Sequence, residues 1–118
     1  MEIWICNQYN DERETQKVSD EKVTIGRDES CDVTLRSGFV SRHHAKIFFE
    51  GGSYFIEALA VSGLTVANYT LGINERRKIE YGDEIRIGEF SIYMMQPSQK
   101  RIEAVEHATS PRKRVVAL

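Results

Sequence analysis

The chain has only two cysteines, Cys6 and Cys31, in 118 residues, and they form neither a C-x-x-C pair nor a disulfide-rich pattern. That excludes a small scaffold held by disulfides and implies two reduced thiols in a cytoplasmic protein. No apolar run approaches the ~18 residues that cross a bilayer. The opening "MEIWICNQ" turns polar too soon for a secretory leader. Net charge is only −2, so nothing draws the chain as a whole to nucleic acid or to an anionic membrane. Any anion it binds must be held locally. No helical period runs over ten residues before residue 97, and there is no repeat or low-complexity segment. The G-x-x-x-x-G-K-[ST] loop that cradles nucleotide phosphates is also missing.

What is present is a series of short β-rich runs broken by turns. The length fits one domain with its own core, and 41% hydrophobic with 29% charged residues is ordinary for a soluble globular protein. "EIWIC", "DEKVTIGR" and "DVTL" read as strands. "AKIFFE" and "SYFIEA" flank Gly51-Gly52, a strong hairpin signal. "LTVAN" and "YTLG" follow, and "RKIEYGDEIRIGEFSIYMM" closes the domain, with turns at Gly82-Asp83 and Gly88-Glu89. Many short strands at regular spacing predict an all-β fold, an antiparallel β-sandwich. Trp4, Phe48, Phe49, Phe55, Phe90 and Tyr93 are expected in its core or on half-buried sheet faces. "NDERETQK" reads as a polar loop, and Glu75-Arg76-Arg77-Lys78 as a solvated one.

At Pro97 the character changes. "PSQKRIEAVEHATSPRKRVVAL" is polar and charged, with a basic run and four apolar residues at its end. The expected organisation is a domain over residues 1–96 and a tail or linker over 97–118. The tail's composition would allow self-association.

The chemistry concentrates in "SGFVSRHHAKIFF", Ser37 to Phe49. His43 and His44 point to opposite faces of an extended chain, and no further ligand completes a metal site. Ser41 beside a histidine is too local for a catalytic triad, and no aspartate is placed to orient the imidazole. An anion site suits the residues better. Arg27 stands where "KVTIG" runs out into a polar loop, and Ser41-Arg42 stand in the next loop. Loops at one end of a sandwich gather in space. Two guanidinium forks and a hydroxyl would match a phosphate.

In order and spacing, "VTIGRDESCDVTLRSGFVSRHHAKIFFE", "GLTVAN" and "YGDEIRIGEFSIYM" resemble the forkhead-associated (FHA) domain family over roughly residues 2 to 96. The family pattern is Gly-Arg, then Ser-Arg-x-His, a Thr-Asn-Gly-Thr loop, Asn-Gly, and Gly-Asp-x-Ile-x-Ile-Gly. The resemblance implies an eleven-stranded β-sandwich that binds phosphothreonine peptides through loops at one end. It implies that Arg27 is the main phosphate cation and that Ser41 donates its hydroxyl. Arg42 would lie beside the phosphate or the peptide backbone. His44, with Gly26, would brace the loops from within, and His43 would face solvent. One stretch departs from the pattern. Matched without a gap, "ALAVSGLT" (Ala58 to Thr65) puts Ser62 at the pattern's threonine and Gly63 at its asparagine, a residue that in the family clamps the peptide main chain. The later Asn-Gly becomes Asn68-Tyr69 in that register.

The expected function is therefore a phosphothreonine-dependent interaction module in Ser/Thr kinase signalling. It would have no catalysis, cofactor or metal, and no nucleic-acid or membrane partner. It would work in the cytoplasm, or the nucleus in a eukaryote. The rival readings are an FHA-fold scaffold freed from phosphate and, more remotely, a hydrolase using Ser41 and His44. Phosphorylation of Thr15 or Thr109 could also let the chain dock on its own Arg27.

Overall fold

The computed structural model describes residues 1–97. Among these there is no helix, and eleven strands form two sheets packed face to face. In chain order they are β1 (Glu2–Asn7), β2 (Arg13–Lys17), β3 (Lys22–Gly26), β4 (Val33–Thr34), β5 (Ala45–Glu50) and β6 (Ser53–Ala58). The remainder are β7 (Leu64–Val66), β8 (Tyr69–Leu71), β9 (Arg76–Ile79), β10 (Glu84–Ile87) and β11 (Phe90–Met95). One sheet runs β2-β1-β11-β10-β7-β8 and the other β4-β3-β5-β6-β9. All pairings are antiparallel except β3 with β4.

Three two-residue turns set the register. Gly51-Gly52 joins Glu50 to Ser53 with both φ positive, and Gly88-Glu89 joins Ile87 to Phe90 with Gly88 at φ +56°. Ala67-Asn68 joins Val66 to Tyr69, also with both φ positive. Such turns match the right-handed twist of the strands they connect.

The interior is aliphatic. Ile3, Val23, Ile25, Val33, Ile47, Ile56, Ile85 and Ile92 are fully buried, supplied by alternate positions of strands from both sheets. β-branched side chains suit a pleated face packed against its partner sheet. The aromatic expectation holds only in part. Phe90 is buried, whereas Trp4 is 36% exposed on an outer face and Phe49, on the inner-face side of β5 but near its end, is 50% exposed. Phe48 and Phe55 stack on each other outside the second sheet, with Arg76 lying 4.9 Å over Phe48.

Two segments read as loops are strands. "NDERETQK" contains β2, an edge strand whose residues are all exposed or half-exposed, so it carries no apolar alternation to mark it. A short, charged edge strand of this kind discourages pairing with other chains. Its Thr15 is paired opposite Trp4 rather than carried on a loop. Arg76 to Lys78 belong to β9, where Arg76 reaches Glu50 and Glu57 and Arg77 stacks 3.4 Å over Tyr69. The tail from residue 98, with Thr109 and the proposed self-association, lies outside the described residues.

Candidate functional site: a cationic pocket braced by a buried histidine

The site is built where β3 ends. Gly26 lies so close to the 41–44 loop that a Cβ would stand 2.0 Å from the Arg42 carbonyl oxygen, so only glycine fits. That approach lets the two segments zip together. Arg27 N–H donates to Ser41 O at 2.9 Å, Asp28 N–H to Arg42 O at 3.2 Å, and His44 N–H to Ile25 O at 2.9 Å. The Arg27 side chain donates through Nε to Val40 O at 2.9 Å, which anchors the guanidinium and leaves its terminal nitrogens for a ligand.

Arg27 and Arg42 line one open pocket with Asp28, Glu29 and Arg36. Arg36 was not singled out from the sequence, since it matches no position in the family pattern. It bridges to Glu29 at 3.3 Å, both groups being well exposed. The Asp28 carboxyl is held below its ordinary pKa, chiefly by accepting the Ser30 backbone N–H and also through the charges of His43 and Arg42. It is a carboxylate in the lining of the pocket that holds Arg27 and Arg42.

His44 is 1% exposed and makes two bonds. Its Nδ1 accepts the Ser41 backbone N–H at 3.0 Å, which places the ring proton on Nε2, and Nε2 donates to Gly63 O at 2.7 Å. One imidazole thus ties the loop carrying Ser41 to the loop carrying Ser62. It has no nitrogen left for the Ser41 hydroxyl, so the two residues do not form a nucleophile–base pair. The Ser41 hydroxyl has no partner among the described residues. His43 turns the other way, half exposed, with Nε2 3.6 Å from Asp28 and Nδ1 3.7 Å from the Cys31 sulfur. That thiol's pKa is raised, first by burial and then by Asp28 and Asp32, so Cys31 is a poor nucleophile despite its histidine neighbour.

The loop after β6 corrects the ungapped match. Gly63 has φ +69°, and a Cβ there would lie 2.3 Å from the Leu71 carbonyl oxygen. A position that carries asparagine in the family cannot be this one. Moving the match by one residue places Gly63 at the pattern's glycine, Ser62 at its asparagine, and Val61, 86% exposed, at its threonine. The turn supports the same shift. Ala67-Asn68, with φ +48° and +70°, occupies the two central turn positions that favour Asn-Gly. The asparagine is therefore replaced by a serine, which keeps one short hydroxyl where an amide would reach further.

The FHA domain family model matches residues 23–88. This chain belongs to the FHA family. No curated protein matches it. Several solved FHA structures do. It is similar to the structure of Mycobacterium tuberculosis EmbR in complex with a low-affinity phosphopeptide, at 26% identity and a TM-score of 0.61, covering 80% of this chain and 24% of that one. It is similar in fold to the N-terminal FHA domain of S. cerevisiae Rad53p in complex with a phosphothreonine peptide. There the identity is 16% and the TM-score 0.66, covering 86% and 98%. The FHA domain of Chlamydia trachomatis CT664 matches at 20% identity and a TM-score of 0.65, covering 81% and 96%. The chain thus spans about a quarter of the EmbR chain, and nearly the whole of the isolated FHA domains.

Proposed function

We propose that this FHA domain is a phosphothreonine-dependent interaction module in Ser/Thr kinase signalling, binding phosphorylated proteins through the Arg27 end of the sandwich. The observation that carries the reading is the anchored Arg27 fork sharing one pocket with Arg42, with Ser41 joined to Arg27 through the backbone. A phosphate carries about −1.5 to −2 charge at neutral pH. Two or three charge-assisted hydrogen bonds at ~1.5–3 kcal/mol each suit a dissociation constant of ~1–100 μM once ordering costs are subtracted. The phosphopeptide complexes of EmbR and Rad53p support the same role. Ser41 and Arg42 complete the phosphate clamp in this reading, Ser62 touches the peptide main chain, and Gly26, His44 and Gly63 hold the loops. The working unit is residues 1–96, with 97–118 as linker or tail, acting in the cytoplasm. No helix among the described residues is long and apolar enough to cross a membrane.

The test is binding to a degenerate phosphothreonine peptide library, with phosphoserine and unphosphorylated libraries beside it. Selective phosphothreonine binding that disappears in Arg27→Ala is expected. Equal binding to the unphosphorylated library would overturn the reading in favour of a phosphate-independent scaffold, the role that replacement of the pattern's asparagine by Ser62 favours.

A further inference from the structure

A second polar cleft opens on the outer face of the first sheet, next to the clamp but built from different strands. It measures about 400 Å³ and is lined by Ser62, Thr65, Asn68, Thr70, Glu84 and Arg86, with Gly63 and Gly88 among its walls. Its floor is a cross-strand row. Arg86 of β10 is paired with Thr65 of β7, and Thr65 with Thr70 of β8. Directly opposed residues project to the same side of a sheet. A guanidinium and two hydroxyls therefore stand in line, ending at an edge strand.

Arg86 is the cation of this cleft, and it is nearly uncommitted. Its contact among the described residues is with Glu84, at 3.9 Å from Nη1, beyond hydrogen-bond reach. Glu84 is engaged elsewhere. Its Oε2 accepts the Ser91 hydroxyl at 2.6 Å, and Ser91, fully buried, accepts in turn from Gln8 Nε2 at 2.7 Å. That chain ties Glu84 Oε2, the oxygen nearest Arg86, to Ser91, so Glu84 lines the cleft as a loose ion partner and the Arg86 fork makes no hydrogen bond among the described residues. A fork flanked by hydroxyl donors matches a carboxylate in bidentate geometry.

The cleft shares no lining residue with the Arg27 pocket, but it borders the loops that hold that pocket together. Ser62 and Gly63 form its wall, and the Gly63 carbonyl is the group held by His44. Gly88, on the opposite wall, packs against Phe39 and Val40, and Val40 O anchors Arg27. An extended peptide advances about 3.3 Å per residue, so a ligand seated on Arg27 would pass along this wall within a few residues.

We propose that the Arg86 cleft is a subsite for an acidic side chain, an aspartate or glutamate near the phosphothreonine in the same partner segment. This rests on the phosphothreonine reading above. Ser62 serves both sites, and the partner class narrows to phosphorylated segments with a neighbouring carboxylate.

The test profiles the wild type, Arg86→Ala and Arg86→Lys against the degenerate phosphothreonine library, then measures affinity for the selected peptide and for the same peptide with its acidic residue changed to alanine. The wild type should enrich Asp and Glu at one flanking position. Arg86→Ala should lose that enrichment while keeping phosphothreonine dependence. Its affinity for the acidic peptide should fall about 3- to 10-fold, with no change for the alanine peptide. Arg86→Lys should retain part of the preference. Unchanged enrichment in Arg86→Ala, or equal loss for both peptides, would overturn the proposal and leave Arg86 a structural residue. If the wild type shows no phosphothreonine dependence, the clamp reading has failed and the cleft is tested directly. An unphosphorylated Glu-containing peptide should then shift the Arg86 Nε–H resonance saturably in the wild type, and absence of that shift would overturn the subsite.

Discussion

His44 Nε2 lies 2.7 Å from the carbonyl oxygen of Gly63, and through the opposite nitrogen of the same ring the backbone N–H of Ser41 is held at 3.0 Å. Two loops separated in sequence are thus fixed by one neutral, buried side chain. Among the described residues neither backbone group has another partner, Gly63 being buried and Ser41 half-buried. His44→Ala should therefore leave a donor and an acceptor unsatisfied and open a cavity, at a cost of about 2–5 kcal/mol. Urea unfolding should show a lowered midpoint with little change in slope. An unchanged midpoint would mean the brace carries no weight.

The position of Gly63 distinguishes two ways of restoring the family's asparagine. Ser62→Asn places an amide where the corrected match puts it, and should tighten phosphothreonine peptide binding by about 1 kcal/mol, or roughly fivefold. Gly63→Asn puts a Cβ against the Leu71 carbonyl in a left-handed conformation, and should destabilise the fold without tightening binding. Calorimetric titration of both variants decides the register. Tighter binding by Gly63→Asn would restore the ungapped match.

Ala67 occupies the first central position of the β7–β8 turn at φ +48°, a region that costs a residue with a Cβ and no side-chain hydrogen bonding about 1 kcal/mol. Asparagine tolerates that conformation and is favoured in this turn. Ala67→Asn should raise the melting temperature by a few degrees, up to about 1 kcal/mol of stability. A lowered melting temperature would show that the methyl's packing against the core outweighs the strain.

The two thiols should react at different rates. Cys31 is 6% exposed with a raised pKa, so it holds less thiolate at neutral pH than an ordinary cysteine, whereas Cys6 is partly exposed. Iodoacetamide at pH 7.5, followed by peptide mass spectrometry, should label Cys6 well before Cys31 in the folded protein. Comparable rates would place Cys31 in an open environment.

Much of this protein is local information. Alternation in "EIWIC", "AKIFFE" and "SYFIEA", with glycines at Gly51-Gly52 and Gly88, suffices to read strands and hairpins, because a two-residue turn and a period of two leave few other conformations. Gly-Arg followed by Ser-Arg-x-His likewise pointed to the two segments around Arg27 and Ser41, which the fold joins through backbone bonds. What the chain could not announce depends on groups far apart in sequence. β2 is a strand only because β1 offers it backbone partners, and nothing in "RETQK" itself alternates in hydropathy. The place of Gly63 in the pattern follows from the Leu71 carbonyl that leaves no room for a side chain. Arg86 shares its cleft with a Glu84 that Gln8 and Ser91 hold, a hydrogen-bond chain joining the turn after β1 to β11 and β10. Hydrophobic period and turn chemistry act between neighbours and are written in the sequence. Steric exclusion and the allocation of polar partners act across the sandwich, and only the folded sheets decide them.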